Sequence, residues 1–457
     1  MRVLLDIPLT VGEICRASLG TAPAYVCPDS PVKAICTDTR ECRKDDLFVA
    51  VSGVYESGEK YISEALSKGA FVISSGNEPK SIRVESGEEA LLKISAYYKK
   101  KISPKHTVAV TGSVGKSTTV SFLSTILQER FKTHRPKKNY NNHIGVPLTL
   151  FDMPRTTEVL IVELGMNHKN EISRLSRCVS PDLGIITRIG TAHIGNLGSR
   201  NEIATAKLEI LDGMDIKNLL LPYGEPLLRA VTGGLYVGRN TLLSDFSLND
   251  SDNYKYLFRS RKNTVKDISF FDRREHLLTD LAFAISAATV LGLSDHEIIN
   301  GVLAIRQSNL RQKFIELHDL TIFDDSYNAS LESITEDLLF ISSLNRPTGV
   351  LIGDVLELGA EAARIHEEIG RAAGRLKIGH LYIYGQYADY IARGAIKEGI
   401  PMANVFVNKD ISSPQITVDQ INENHYKGEI VLFKASHLMR LDKIADMMIE
   451  EERKNNE

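Results

Sequence analysis

The chain of 457 residues has no apolar run near the roughly 18 residues that cross a bilayer, so no membrane span is expected. Its opening stretch, MRVLLDIPLTVGEIC, carries an acid at Asp6 and no long apolar segment, and makes a poor secretory signal. Cysteine is scarce: Cys15, Cys27, Cys36, Cys42 and Cys178 form no C-x-x-C pair and are odd in number. That argues against zinc or a disulfide framework and for reduced thiols in the cytoplasm. Charge of one sign is also lacking. Lys and Arg number 55 against 58 Asp and Glu, a formal net charge of −3, so no global basic field invites nucleic acid. There are no obvious repeats, low-complexity tracts or heptads. What is present, 43% hydrophobic and 25% charged residues, is ordinary globular composition. The length is too great for one core, and about three domains are expected.

One segment stands out. Val108-Ala-Val-Thr-Gly-Ser-Val-Gly-Lys-Ser-Thr-Thr119 reads as an apolar strand, a glycine loop and the start of a helix running to about Arg130. This is the layout of a phosphate-binding loop. Gly112 and Gly115 let the amides of Gly112, Ser113, Val114 and Gly115 turn inward on an anion. The helix that follows offers its positive end to the same phosphates. Lys116 adds a point charge, and Ser117 or its neighbour Thr118 supplies a hydroxyl for Mg²⁺. The common loop has four residues between its first glycine and the Gly-Lys pair; here there are two, Ser113 and Val114.

Around the loop, strand and helix patterns alternate. Residues 1–84 read as short strands (Asp46–Val51, Phe71–Ser74) with one helix, Tyr61–Lys68, stopped by Gly69. An amphipathic helix over 87–101 leads into the central part, 85–308. There Glu158–Glu163 and Leu183–Thr187 are short, mostly apolar runs of the kind buried in a parallel sheet. Residues 244–272 are polar and read as an irregular or antiparallel excursion, and Leu277–Leu293 as an alanine-rich helix. In the last part, 309–457, the strand candidates are Thr321–Asp324, Gly349–Gly353, His380–Tyr384 and Glu429–Phe433. The tail from Glu450 reads as a frayed, solvated helix end. The fold class expected is α/β, with a doubly wound central sheet and a smaller α/β unit on each side.

Several residues carry two readings. Glu163 ends a buried strand, where it faces water or holds Mg²⁺ opposite the loop. His193, in a loop after a strand, is structural or a ligand. Lys207, in a helix-like stretch, is a solvated charge or a functional one. Asn139, Asn141 and Asn142 are turn formers or bind a polar, peptide-like substrate. Nearby Arg135, Lys137 and Lys138 attract a phosphate or carboxylate, or form a solvated loop. The acids of Asp324-Asp-Ser-Tyr-Asn-Ala329 form a turn or bind a ribose or Mg²⁺.

Taken together, these segments resemble the Mur ligases, ATP-dependent amide-forming enzymes of peptidoglycan precursor synthesis. The likeness covers nearly the whole chain. The two-residue gap in the loop is that family's version of the motif, shared with folate polyglutamate ligases. Thr37-Asp-Thr-Arg40 and Asp46–Gly53 resemble the uridine-nucleotide module of the tripeptide- and dipeptide-adding members. Asn139-Tyr-Asn-Asn-His-Ile-Gly-Val-Pro147, Asp324–Ala329, Gly353-Asp-Val-Leu-Glu-Leu-Gly359 and His366-Glu-Glu-Ile-Gly370 look like the dipeptide-adding branch.

The resemblance implies three domains: a small N-terminal α/β module (1–84), a central doubly wound P-loop-type ATPase domain (85–308) and a C-terminal Rossmann-like α/β domain (309–457). A monomer is expected. The resemblance implies ATP and two Mg²⁺ ions, with Glu163 and His193 at metal positions and Lys207 at the family's carbamylated lysine. Lys116 would act on the phosphates, Arg311 and Asp325 would reach ATP, and Asp38 and Arg40 would contact the nucleotide sugar. The implied substrates are a UDP-linked muramoyl tripeptide and D-alanyl-D-alanine. The same resemblance leaves open another carboxylate and amine pair, such as a folate, a polyamino acid or a natural-product peptide. Some positions depart from the pattern: Leu277 and Asp280 stand where ATP-binding asparagines are usual, Ser57-Gly-Glu59 where Asp-Gly-His is usual, and His437 where an arginine is usual.

Overall fold

The computed structural model describes residues 1–51, 57–76, 78, 80–252, 254–260, 265–306 and 312–455, and three sheets follow one another along the chain. The first holds β1 (Arg2–Thr10), β2 (Pro31–Cys36), β3 (Leu47–Val49), β4 (Phe71–Ser74) and β5 (Ser81–Arg83) in that spatial order. Only the β1–β2 pair is antiparallel. Two α-helices accompany it, α1 (Val11–Ser18) and α2 (Ile62–Ser67), where the sequence suggested one. The missed helix, α1, is announced by a capping box. Thr10 accepts from the Glu13 amide at 3.2 Å, and Glu13 accepts from the Thr10 amide at 2.8 Å, which satisfies two orphan donors.

The central sheet is built from β6 (His106–Thr111), β7 (Thr133–His134), β8 (Val159–Glu163), β9 (Leu183–Ile186), β10 (Leu219–Pro222), β11 (Leu235–Arg239), β12 (Phe246–Asp252), β13 (Lys255–Arg259) and β14 (Val265–Ser269). Its spatial order is β14-β13-β12-β11-β10-β9-β6-β8-β7. The polar stretch after residue 244 is indeed antiparallel, β12–β13–β14, while the remaining pairs are parallel. Helices α3 (Gly87–Ile102), α4 (Lys116–Leu127), α5 (Gly145–Phe151), α6 (Glu171–Val179), α7 (Ile194–Leu197), α8 (Arg200–Leu208), α9 (Glu275–Val290) and α10 (Asp295–Ala304) surround it. Alternation along β6 divides the core. Val108 and Val110 pack with Phe122 of α4 and Leu281 of α9, whereas Ala109 belongs with Leu148 and Leu160 on the other face. Strand β6 lies between β8 and β9, where the winding of the sheet reverses. Loops at the carboxyl ends of strands flank a crevice there.

The third sheet contains β15 (Lys313–Glu316), β16 (Leu320–Asp324), β17 (Thr348–Gly353), β18 (His380–Tyr384), β19 (Val405–Asn408) and β20 (Glu429–Lys434), ordered β15-β16-β20-β17-β18-β19. The four expected strands are present. The two added ones are the edges, each only four residues long. Helices α11 (Leu331–Ser342), α12 (Ala362–Arg375), α13 (Ala388–Lys397), α14 (Pro414–Asn424) and α15 (Leu441–Asn455) pack around it. No helix among the described residues is long and apolar enough to cross a membrane. The five cysteines are free.

Candidate active site

The glycine loop joins β6 to α4, and its shape depends on contacts from two other elements. Gly112 and Gly115 have φ of 150° and 88°, in the region that favours glycine. A Cβ at Gly112 would overlap the Thr187 hydroxyl, and one at Gly115 would overlap Asp280 Oδ1 of α9. Thr187 Oγ1 donates to the Val114 carbonyl at 2.5 Å, and the Ser113 amide donates to the Arg188 carbonyl at 2.8 Å. Lys116 curls over the loop, its Nζ donating to the Gly112 carbonyl at 2.8 Å and the Ser113 carbonyl at 3.3 Å.

A cleft of about 430 Å³ opens above this loop, lined by Ser113 through Thr118. The same cleft collects Asn139, Asn141, Asn142, Glu163, His193, Lys207 and Asp325, scattered over some two hundred residues of sequence but one surface in the fold. The register of the sheet brings Glu163 opposite Val110. Its carboxylate accepts from Ser117 Oγ at 2.5 Å and from Asn141 Nδ2 at 2.9 Å. Asn141 Nδ2 also donates to Asn139 Oδ1 at 2.9 Å, so the asparagine loop is tied to the strand-end acid.

Lys207 is 1% exposed, and no side-chain hydrogen bond or ion pair reaches it among the described residues. Burial, and then the neighbouring Lys116 charge, push its amine well below the usual lysine range. His193, with φ 64°, receives a contact from the third unit: its Nδ1 lies 2.5 Å from Glu357 Oε2. The Gly195 amide also donates to the Glu357 carbonyl at 3.0 Å.

The other wall belongs to the third unit. Lys434, at the end of β20, is buried between Asp325 and Asp337. It pairs with Asp325 and lies 2.8 Å from Asp337 Oδ2 without hydrogen-bonding alignment. One ammonium cannot neutralise two buried carboxylates. Burial pushes Asp337 up to about 8, while Lys434 holds Asp325 down against the same burial. Gln312 donates to Asp325 Oδ2 at 3.2 Å and to Asp337 Oδ1 at 3.1 Å, and accepts from Arg274. From α11, Glu336 pairs with Arg188, and Glu332 accepts from Thr191 Oγ1 at 3.0 Å.

These donors fit magnesium. Among the described residues no three His, Cys, Asp or Glu side chains converge on one point, so the chain builds no closed cage. Mg²⁺ is usually held by one or two carboxylates together with substrate phosphates. The adjoining Ser117 hydroxyl and Glu163 carboxylate are hard oxygen donors of that kind, set against a phosphate loop.

Known proteins share this fold. The family model described as the Mur ligase middle domain matches residues 110–304. The UDP-N-acetylmuramoyl-tripeptide–D-alanyl-D-alanine ligase of Bacillus subtilis (strain 168) is 31% identical over 465 aligned residues, covering 97% of this chain and 99% of that protein. The chain belongs to the Mur ligase family. Among solved structures, MurF from Acinetobacter baumannii superposes with a TM-score of 0.88 at 23% identity, over 98% of this chain and all of that one. The MurF ligase of Thermotoga maritima in complex with ADP gives 0.79 at 24% identity, over 92% and 98%. These two establish the three-unit α/β fold.

Not every candidate meets in the cleft of this Mur ligase. Asp38 and Arg40 lie beside the first sheet and pair with each other at 2.6 Å. The Arg40 guanidinium holds the Asp38 carboxyl well below the usual range. Arg311 falls outside the described residues, as do Ser52 and Gly53 of the uridine-module motif. The sequence reading missed Arg188, His276, Gln312, Glu336, Glu357 and Asp337, which line or brace the cleft. Two of them had a local signal: Glu357 lies within the Gly353–Gly359 motif, and Arg188 follows Thr187 past the carboxyl end of β9.

Proposed function

We propose that this Mur ligase joins D-alanyl-D-alanine to a UDP-linked muramoyl tripeptide, with ATP, in cytoplasmic peptidoglycan precursor synthesis. The observation that carries the reading is its likeness, along nearly the whole chain, to a ligase whose name states that reaction. Residues 1–84 take the uridine end through Asp38 and Arg40, residues 85–308 take ATP, and residues 309–457 close over both with Arg311 and Asp325. The enzyme acts as a monomer.

The amides of Gly112–Gly115 and Lys116 hold the β- and γ-phosphates of ATP. Asn139, Asn141 and Asn142 orient the tripeptide so that a carboxylate oxygen attacks the γ-phosphorus. The bond to the β-phosphate oxygen breaks, leaving ADP and an acyl phosphate. The dipeptide amine then attacks the acyl carbon, phosphate departs with the carbon–oxygen electron pair, and the ammonium proton is lost to solvent. Ser117 with Glu163, and His193 with Lys207, would hold two Mg²⁺ ions, which would supply neutralisation of the phosphate charge. Lys207 serves as a carbamate. Its burial favours the neutral amine, the form that adds carbon dioxide with loss of a proton, and so turns a cation into an oxygen donor.

Phosphate release tests this reading. It is expected only when ATP, UDP-muramoyl tripeptide and D-alanyl-D-alanine are all present. Leu277, Asp280 and His437 favour a second reading, the same chemistry on another pair. Release with a different acceptor but none with the full set would establish that one instead.

A further inference from the structure

The basic run Arg135, Lys137 and Lys138 has no part in the reaction described above. It lines a second cleft of about 650 Å³, whose opposite wall comes from the third unit through Lys313, Asp324, Tyr327 and His437. The two clefts share Ser117, Thr118, Asn139, Glu163 and Tyr327. The second therefore opens onto the place where the acyl phosphate forms, from another side.

The charges of this cleft do not cancel. Lys137 is committed to Asp152 at 2.6 Å, and Asp442 to Arg440 at 2.9 Å. Asp324 accepts from Ser326 Oγ at 2.6 Å, and Glu163 from Ser117. Arg135, Lys138 and Lys313 are exposed, and among the described residues none of their side chains has a hydrogen bond or ion pair. Three uncommitted cations, Arg135 and Lys138 on one wall and Lys313 on the other, call for an anion, and a guanidinium fork matches a carboxylate in two parallel hydrogen bonds.

Three substrates must meet here, and two have places elsewhere. The phosphates of ATP belong on the loop in the first cleft. The uridine end of the second substrate belongs with the first sheet, and no residue of 1–83 lines this second cleft. The remaining substrate, on the reading above, is a dipeptide with an amine at one end and a carboxylate at the other, about 7 Å apart when extended. We propose that the second cleft is the acceptor subsite and that Arg135 anchors the terminal carboxylate of the dipeptide, with Lys138 and Lys313 adding charge. The amine then points to the junction at Ser117 and Glu163.

The inference rests on the functional reading, and one set of assays separates the two. Steady-state kinetics would compare D-alanyl-D-alanine with D-alanyl-D-alaninamide, which keeps the amine and lacks the carboxylate. The wild-type enzyme is expected to favour the acid over the amide by at least about tenfold in kcat/KM. Arg135→Ala should raise KM for the acid by about tenfold, leave the amide within about twofold, and leave KM for ATP and UDP-tripeptide unchanged. Arg135→Lys should recover part of the loss. An unchanged acid-to-amide ratio in an active Arg135→Ala enzyme overturns the subsite alone. A rise in KM for UDP-tripeptide instead assigns the anchor to the nucleotide-linked substrate and also overturns it. No turnover by the wild type with either acceptor overturns the functional reading together with the subsite.

Discussion

At the scale of single residues, the site is organised by burial of groups that would be charged in water. Lys207 carries its amine into the protein without an ion pair among the described residues, beside another lysine. That is costly for an ammonium and suits a carbamate. Lys207→Ala should lose at least about a hundredfold in kcat, and added bicarbonate should restore nothing. Near-wild-type turnover would remove the carbamate from the mechanism. Asp280 is the complementary case. Its carboxyl is 1% exposed against the loop, its Oδ1 lacks a hydrogen-bond partner among the described residues, and burial raises it to about 8. Against an unfolded value of about 4, the folded state holds the extra proton. The stability this contributes is complete below pH about 4 and is lost as pH rises through about 8. Asp280→Asn should therefore raise the melting temperature at pH 9 by about 3 °C and change it little at pH 5. Equal shifts at both pH values would mean that the carboxyl is ionised throughout.

Among elements, the strand–loop–helix unit from His106 to Leu127 is where backbone shape and ligand chemistry coincide. Gly115 combines a φ of 88° with Asp280 directly behind it, so any side chain there meets both a strained backbone and a carboxyl oxygen. Gly115→Ala is expected to weaken ADP binding by about tenfold or more, measured by titration calorimetry. Unchanged affinity would show that the loop tolerates displacement. This unit was legible in the sequence because all its parts are contiguous and each has a local signature. The same holds for β8, β17 and β20, which are continuous apolar runs. The edges β15 and β19 escaped notice because four half-buried residues have no distinctive period.

In the molecule as a whole, the central and third units are joined at the cleft by contacts of long sequence separation. Arg188 meets Glu336 across 148 residues, and His193 meets Glu357 across 164. On the proposed reading this contact orients His193 as a metal ligand, since a carboxylate on Nδ1 fixes the tautomer and frees Nε2. Glu357→Gln should lower kcat by about ten- to a hundredfold and weaken Mn²⁺ binding, followed by electron paramagnetic resonance, by a similar factor. KM for ATP should move little. A change in melting temperature with no change in Mn²⁺ affinity would make Glu357 a structural contact only.

The phosphate loop, the alternation of strands and helices and the acid at the end of β8 could all be read from the chain, because they depend on neighbours within a few residues. The gathering of Arg188, Gln312, Glu336, Glu357 and Lys434 around that loop could not. It depends on which strand pairs with which and on how the third sheet lies against the first cleft. The same is true of charge state. Lys207 looks like any helix lysine in sequence, and only the packing that removes water from its amine shifts it toward the neutral form. Residue identity supplies the donors and acceptors. Desolvation and distance, which exist only in the folded chain, decide which of them carry a charge and which of them meet.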